Sequence, residues 1–87
     1  MFWWIGDGPR SAGRVELGDA SVALAATTPA PSIERIRFGD LARVLLDHGT
    51  IHVERRAEPA VHIGSLDTPG ALRELAERLS HAVSRTA

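Results

Sequence analysis

Two histidines, His52 and His62, occupy positions from which they could act together. They lie in segments 50–56 and 60–64, whose alternating apolar and polar residues predict a β-hairpin. The register that pairs the apolar residues places the two histidines opposite each other, ~5 Å apart. With Glu54 nearby they could hold a divalent metal, but a stable site normally needs three or four ligands. We therefore predict solvated histidines, with no bound metal or other cofactor.

A hydrolase would need a nucleophile, a base and an orienting acid, and His62, Ser65 and Asp67 supply the residue types. Their setting does not fit, because the chain has no G-x-S-x-G nucleophile elbow. Ser65 and Asp67 are better interpreted as the approach to a helix. The chain also lacks cysteine, which excludes thiolate metal sites and cysteine nucleophiles. We predict that the protein is not an enzyme.

The ten basic residues are all arginine, and eleven acidic residues give a net charge of −1. This balance argues against a nucleic-acid-binding protein, which usually carries a basic excess. Arginines could still form a stripe for an anionic partner, although interspersed glutamates favour a mixed, solvated surface. The stripe would comprise Arg35, Arg37, Arg43, Arg55 and Arg56.

The sequence predicts about seven short strands followed by one helix, and these elements must position the residues named above. This order of elements is typical of a single α+β domain, here over residues 1–87. The helix is predicted within Leu66–Val83, because its apolar residues recur at helical spacing and Thr68-Pro69 is a typical start. The predicted strands are Met1–Ile5, Arg14–Leu17, Ser21–Ala25, Ile33–Phe38, Leu41–Leu46, Thr50–Arg56 and Ala60–Gly64.

The first strand is rich in aromatic residues. Trp3 and Trp4 are adjacent, and successive strand side chains point to opposite faces, so both cannot enter one core. Either the monomer shields both rings or one ring anchors an interface, since tryptophan is enriched at binding hot spots. With Phe2 beside them, they could bury aromatic surface at a sheet edge, by strand addition for example.

Six segments of the chain follow a recognisable succession: Gly13–Leu17, Val22–Leu24, Ile36–Val44, Gly49–Val53, Val61–Gly64 and Leu66–Leu75. Together they resemble a pleckstrin-homology-like domain of the small bacterial type. The resemblance implies a bent antiparallel β-sandwich or open barrel capped by a C-terminal helix, and a binding module rather than an enzyme. Some members of the family bind phosphoinositides through a basic loop between the first two strands. Here that loop would be Gly6–Gly13, and the usual basic cluster is reduced to Arg10 and Arg14.

These observations predict a non-enzymatic protein-interaction module, either a homo-oligomer or a small subunit of a larger assembly. The predicted contact residues are Phe2, Trp3 and Trp4. The alternative is a peripheral membrane or anionic-ligand binder that uses arginines. No apolar run approaches the ~20 residues that span a bilayer, and no signal peptide is recognisable, so the predicted compartment is the cytoplasm. The arginines of the alternative are Arg10, Arg14, Arg55 and Arg56.

Overall fold

Seven antiparallel strands and one long helix make up residues 1–86, the part of the chain that the computed structural model describes; for Pro69 and Thr86 only the backbone is described. The predicted α+β fold class is confirmed. A short 3-10 turn, Phe38–Asp40, separates the fourth and fifth strands. The helix α1 spans Pro69–Thr86. The strands are Phe2–Ile5 (β1), Ser11–Leu17 (β2), Ser21–Thr28 (β3), Ser32–Arg37 (β4), Leu41–Asp47 (β5), Thr50–Arg55 (β6) and Val61–Ser65 (β7).

The strands form one curled sheet with the order β4-β3-β2-β1-β7-β6-β5. The first strand lies in the middle, where Phe2 is paired with Gly13 of β2 on one side and Ser65 of β7 on the other. The prediction that the aromatic strand forms a sheet edge open to strand addition is therefore wrong. Its backbone groups are already used by two neighbours, and the sheet edges are β4 and β5.

The hairpin of β6 and β7 has the register that the alternation predicts. Ile51 is paired with Ile63, His52 with His62, and Val53 with Val61. A shift of one residue would have turned these apolar side chains away from the core, so burial specifies the register.

Some strand ends differ from prediction because residues predicted to lie in loops belong to strands. Strand β2 begins at Ser11 rather than Arg14, and β3 continues to Thr28, so the proline-containing loop is shorter than expected. At the other end of β4, Phe38 lies in the 3-10 turn instead of the strand, and its side chain is buried.

The helix closes the concave side of the sheet with its apolar stripe. Leu72, Leu75, Ala76 and Leu79 are buried, and Val83 packs partly buried against the same core. Each fully buried leucine contributes about 1.5–3 kcal/mol relative to an exposed one. The strands supply the rest of one cluster: Trp4, Val22, Leu24, Ala26, Ile36, Phe38, Leu41, Ile51, Val53, Val61 and Ile63.

Two local contacts support the helix, and the first agrees with the predicted start at Thr68-Pro69. The Ala71 N–H donates to Thr68 Oγ1 at 3.4 Å, which is the expected N-cap contact. On the exposed face, Arg78 pairs with Glu74 at 2.8 Å, one helical turn earlier.

Gly13 should be the least replaceable glycine, because it lies where the pairing of β2 with β3 shifts. A Cβ at this position would lie 2.0 Å from the Ala25 carbonyl oxygen. Backbone would have to move, so we expect Gly13→Ala to lower the free energy of unfolding by about 2–3 kcal/mol in urea denaturation. Gly70→Ala is the control, since no atom lies within 4 Å of its added Cβ. Equal effects of the two changes would contradict this expectation.

Candidate interaction surface

The two tryptophans of β1 have different environments. Trp4 points into the core and is 6% exposed, with Phe2 packed partly buried on the same side. Trp3 points to the opposite, outer face of the sheet and is half-buried. Of the three predicted aromatic contact residues, Trp3 is thus the one placed to meet a partner without disturbing the core.

Trp3 lies flat against the backbone of its neighbouring strand. It is paired with Gly64 of β7, and a Cβ on that glycine would lie 2.2 Å from the indole Cε2 atom. The missing side chain therefore makes room for the ring. Arg10, from the β1–β2 loop, places its Cζ atom 5.6 Å from the ring centre, within the range of a cation–π interaction.

Four side chains form a row beside Trp3 across the outer face of the sheet. The pairing Ile5–His62, His62–His52 and His52–Leu45 runs from β1 to β5. Ile5 is 38% exposed and Leu45 is 43% exposed. The helix packs on the other face, so it does not cover this row. We call Trp3, Ile5, Leu45, His52 and His62 the outer patch.

The two histidines of the outer patch are in ring contact. Their ring centres are 4.7 Å apart and the planes are inclined by 81°, an edge-to-face arrangement. Both residues are half-buried. Among the described residues, no group of three or more histidine, aspartate or glutamate side chains is placed to hold a metal ion.

Two of the arginines predicted to bind an anionic partner, Arg55 and Arg56, make contacts within the chain instead. The Arg55 side chain is only 8% exposed; its Nη1 pairs with Glu58 at 2.8 Å and with Glu34 at 3.3 Å. Its Nε donates to the Pro59 carbonyl oxygen at 2.8 Å. Arg55 thus connects strand β6 and the following turn with β4. We name this contact the Arg55 bridge.

The neighbouring Arg56 has a related position. Its Nε donates to the Gly39 carbonyl oxygen at 3.0 Å, and its backbone N–H donates to the Asp40 carbonyl oxygen at 2.9 Å. The sequence carried a signal for the inward orientation of Arg55, because that residue continues the alternation of Ile51 and Val53. The adjacent basic residues Arg55 and Arg56 instead favoured a solvated surface in the sequence analysis.

Two further arginines from the sequence analysis, Arg14 and Arg43, lie on the surface. Arg14 is 73% exposed in its side chain and pairs loosely with Glu16 at 3.5 Å. Arg43 pairs with Glu54 at 2.9 Å. Both ion pairs are exposed, so each contributes little to stability.

The residue types of a hydrolase are not assembled into a triad. His62 is on the outer face, whereas Ser65, three residues along the same strand, is on the inner face. The Ser65 Oγ accepts a hydrogen bond from the Asp67 N–H at 3.1 Å. Ser65 and Asp67 thus form the turn into the helix, as the sequence predicts.

Comparisons with known proteins add no relatives. No match to the chain was found among protein-family models, curated proteins or solved structures. The resemblance to pleckstrin-homology-like domains therefore stays a prediction. In the part of the chain described, no helix combines the length and the apolar character needed to cross a membrane.

Removing the Arg55 bridge should destabilise the fold. Arg55→Met keeps much of the aliphatic packing but loses the charged hydrogen bonds, so we expect a loss of about 1.5–3 kcal/mol. Urea denaturation measures it, with Arg14→Met as control; that exposed position should change stability by less than about 0.5 kcal/mol. Similar losses for the two variants would show that the bridge contributes no special stability.

A side chain at Gly64 should disturb Trp3 directly. Gly64→Ala places a Cβ within the indole ring's present volume, and we expect a loss of about 1–3 kcal/mol together with a changed tryptophan emission spectrum. In the Trp3→Ala background the same change should cost much less, because the clashing ring is gone. Additive effects in this double-mutant cycle would contradict the packing described here.

Proposed function

We propose that this protein is a non-enzymatic protein-interaction module that binds a partner through the outer patch. The observation that supports it is the position of Trp3, an aromatic side chain on the outer face of the central strand, on the side of the sheet away from the helix. Large aromatic side chains on a rigid support dominate many protein interfaces because they bury much area at small entropic cost.

The patch favours a flat contact over strand addition. Strand β1 has its hydrogen-bonding groups engaged on both sides, so a partner would meet side chains instead of backbone. Ile5 and Leu45 offer exposed apolar surface at the two ends of the row. Arg10 lies beside Trp3, and none of the described residues provides it with a carboxylate partner.

This distribution of charge indicates the chemistry of the partner. We propose a protein surface with apolar side chains facing the outer patch and a carboxylate facing Arg10. A second copy of the chain and a different subunit are both outcomes that the experiment below distinguishes. The cytoplasmic location remains part of this proposal.

The alternative of an anionic lipid or ligand receives less support. Arg55 and Arg56 are occupied by contacts to Glu34, Glu58 and two carbonyl groups. Arg14 and Arg10 remain on the surface, which is fewer cations than a polybasic membrane contact usually has.

A photo-crosslinking amino acid at Leu45 tests the proposal. In native lysate, we expect a discrete crosslinked product that disappears when Trp3→Ala is added, because loss of the anchor abolishes binding. The matched probe position is Ile33, which is 65% exposed but lies on the edge strand β4. Circular dichroism is recorded alongside to test whether Trp3→Ala folds like the wild type.

The products distinguish the two kinds of partner. A product of twice the chain mass that also forms with purified protein identifies a second copy, whereas a product found in lysate alone identifies a different subunit. Equal crosslinking from Leu45 and Ile33, or crosslinking that survives Trp3→Ala, would overturn the proposal.

A further inference from the structure

In contrast to the prediction from sequence that these histidines bind no metal, we propose that His52 and His62 form a binding site for a divalent transition-metal ion on the outer face of the sheet. The two histidines belong to the outer patch, but the metal site does not rest on the partner interaction proposed above. It rests on the observed ring geometry, the fixed pairing of the two strands and the coordination chemistry of imidazole.

The distance between the rings matches what a shared metal requires. A metal ~2.1 Å from each coordinating nitrogen lies ~3.2 Å from each ring centre, and ligand angles of ~90–110° then place the centres ~4.5–5.2 Å apart. The observed separation of 4.7 Å falls in this range. In the observed edge-to-face arrangement, rotation about the side-chain bonds would be needed to direct one nitrogen of each ring at the same ion, and the pairing of the two strands keeps the histidines close enough for this.

The backbone positions of the two histidines are fixed in advance. His52 and His62 are directly paired, with the buried pairs Ile51–Ile63 and Val53–Val61 on either side. A slip in register would expose those four side chains, so the spacing of the histidines is as stable as the core. Little ordering of the chain is needed on binding, which favours affinity.

Imidazole ligands indicate the class of metal. Neutral imidazole suits Zn²⁺, Ni²⁺ and Cu²⁺, whereas Mg²⁺ and Ca²⁺ prefer oxygen ligands. Two protein ligands leave the remaining coordination positions to water or to an added molecule. Glu54 lies two residues from His52 on the same face, but its carboxylate is paired with Arg43 at 2.9 Å. The site is therefore an open, two-histidine site.

Titration with Zn²⁺ and with Ni²⁺, followed by calorimetry and by histidine NMR signals, tests the proposal. We expect one ion per chain, with the signals of His52 and His62 shifting together. Two linked ligands bind far more tightly than one, so His52→Ala or His62→Ala should weaken binding ~100-fold or more. His48→Ala and His81→Ala are matched controls, because both residues are exposed and lie elsewhere; they should retain the wild-type affinity.

A stability measurement supplies a second readout. At a free Zn²⁺ concentration ~100 times the dissociation constant, the ratio of folded to unfolded protein should rise ~100-fold. His62→Phe keeps a ring of similar shape without ligating nitrogens, and should fold but lose this stabilisation. Absence of binding at millimolar metal would overturn the proposal, and so would equal metal affinity in the wild type, His52→Ala and His62→Ala. A loss of metal affinity in His48→Ala as large as in His52→Ala would also overturn it.

Discussion

Hydrogen bonding along both sides of β1 is the constraint on which the rest of the structure depends. This short strand joins β2–β4 to β5–β7, so the two halves become one sheet. Because adjacent side chains alternate, the same strand places Trp4 in the core and Trp3 on the outer face. Its central position makes the support for Trp3 rigid, and it removes β1 from any role in adding a strand from another chain.

Polar contacts connect strands from the two halves of the curled sheet. Arg55 reaches from β6 to Glu34 of the edge strand β4, and Glu58 holds the same guanidinium from the following turn. A guanidinium can serve several acceptors at once because its donors are arranged in a rigid, planar fork. Residues that resemble an anion-binding cluster in the sequence thus contribute to the architecture.

The outer face combines features that a solvated sheet surface does not need. A tryptophan lies on a glycine, an arginine lies beside that tryptophan, and two histidines touch between two exposed aliphatic side chains. Each feature alone is ordinary, since single apolar residues are common on protein surfaces. Their continuity across β1, β7, β6 and β5 supports the proposed contact surface, and the histidine pair lies within it.

The sequence by itself determined the local elements of this protein. Strand alternation, turn residues and the helical stripe predicted seven strands, one helix and the pairing of His52 with His62, because each depends on neighbours within one element or one hairpin. Tertiary structure alone decided that β1 is central, that Trp3 is the outward tryptophan and that Arg55 meets Glu34. Those outcomes depend on pairing between distant strands and on the curl of the whole sheet, which no local periodicity encodes.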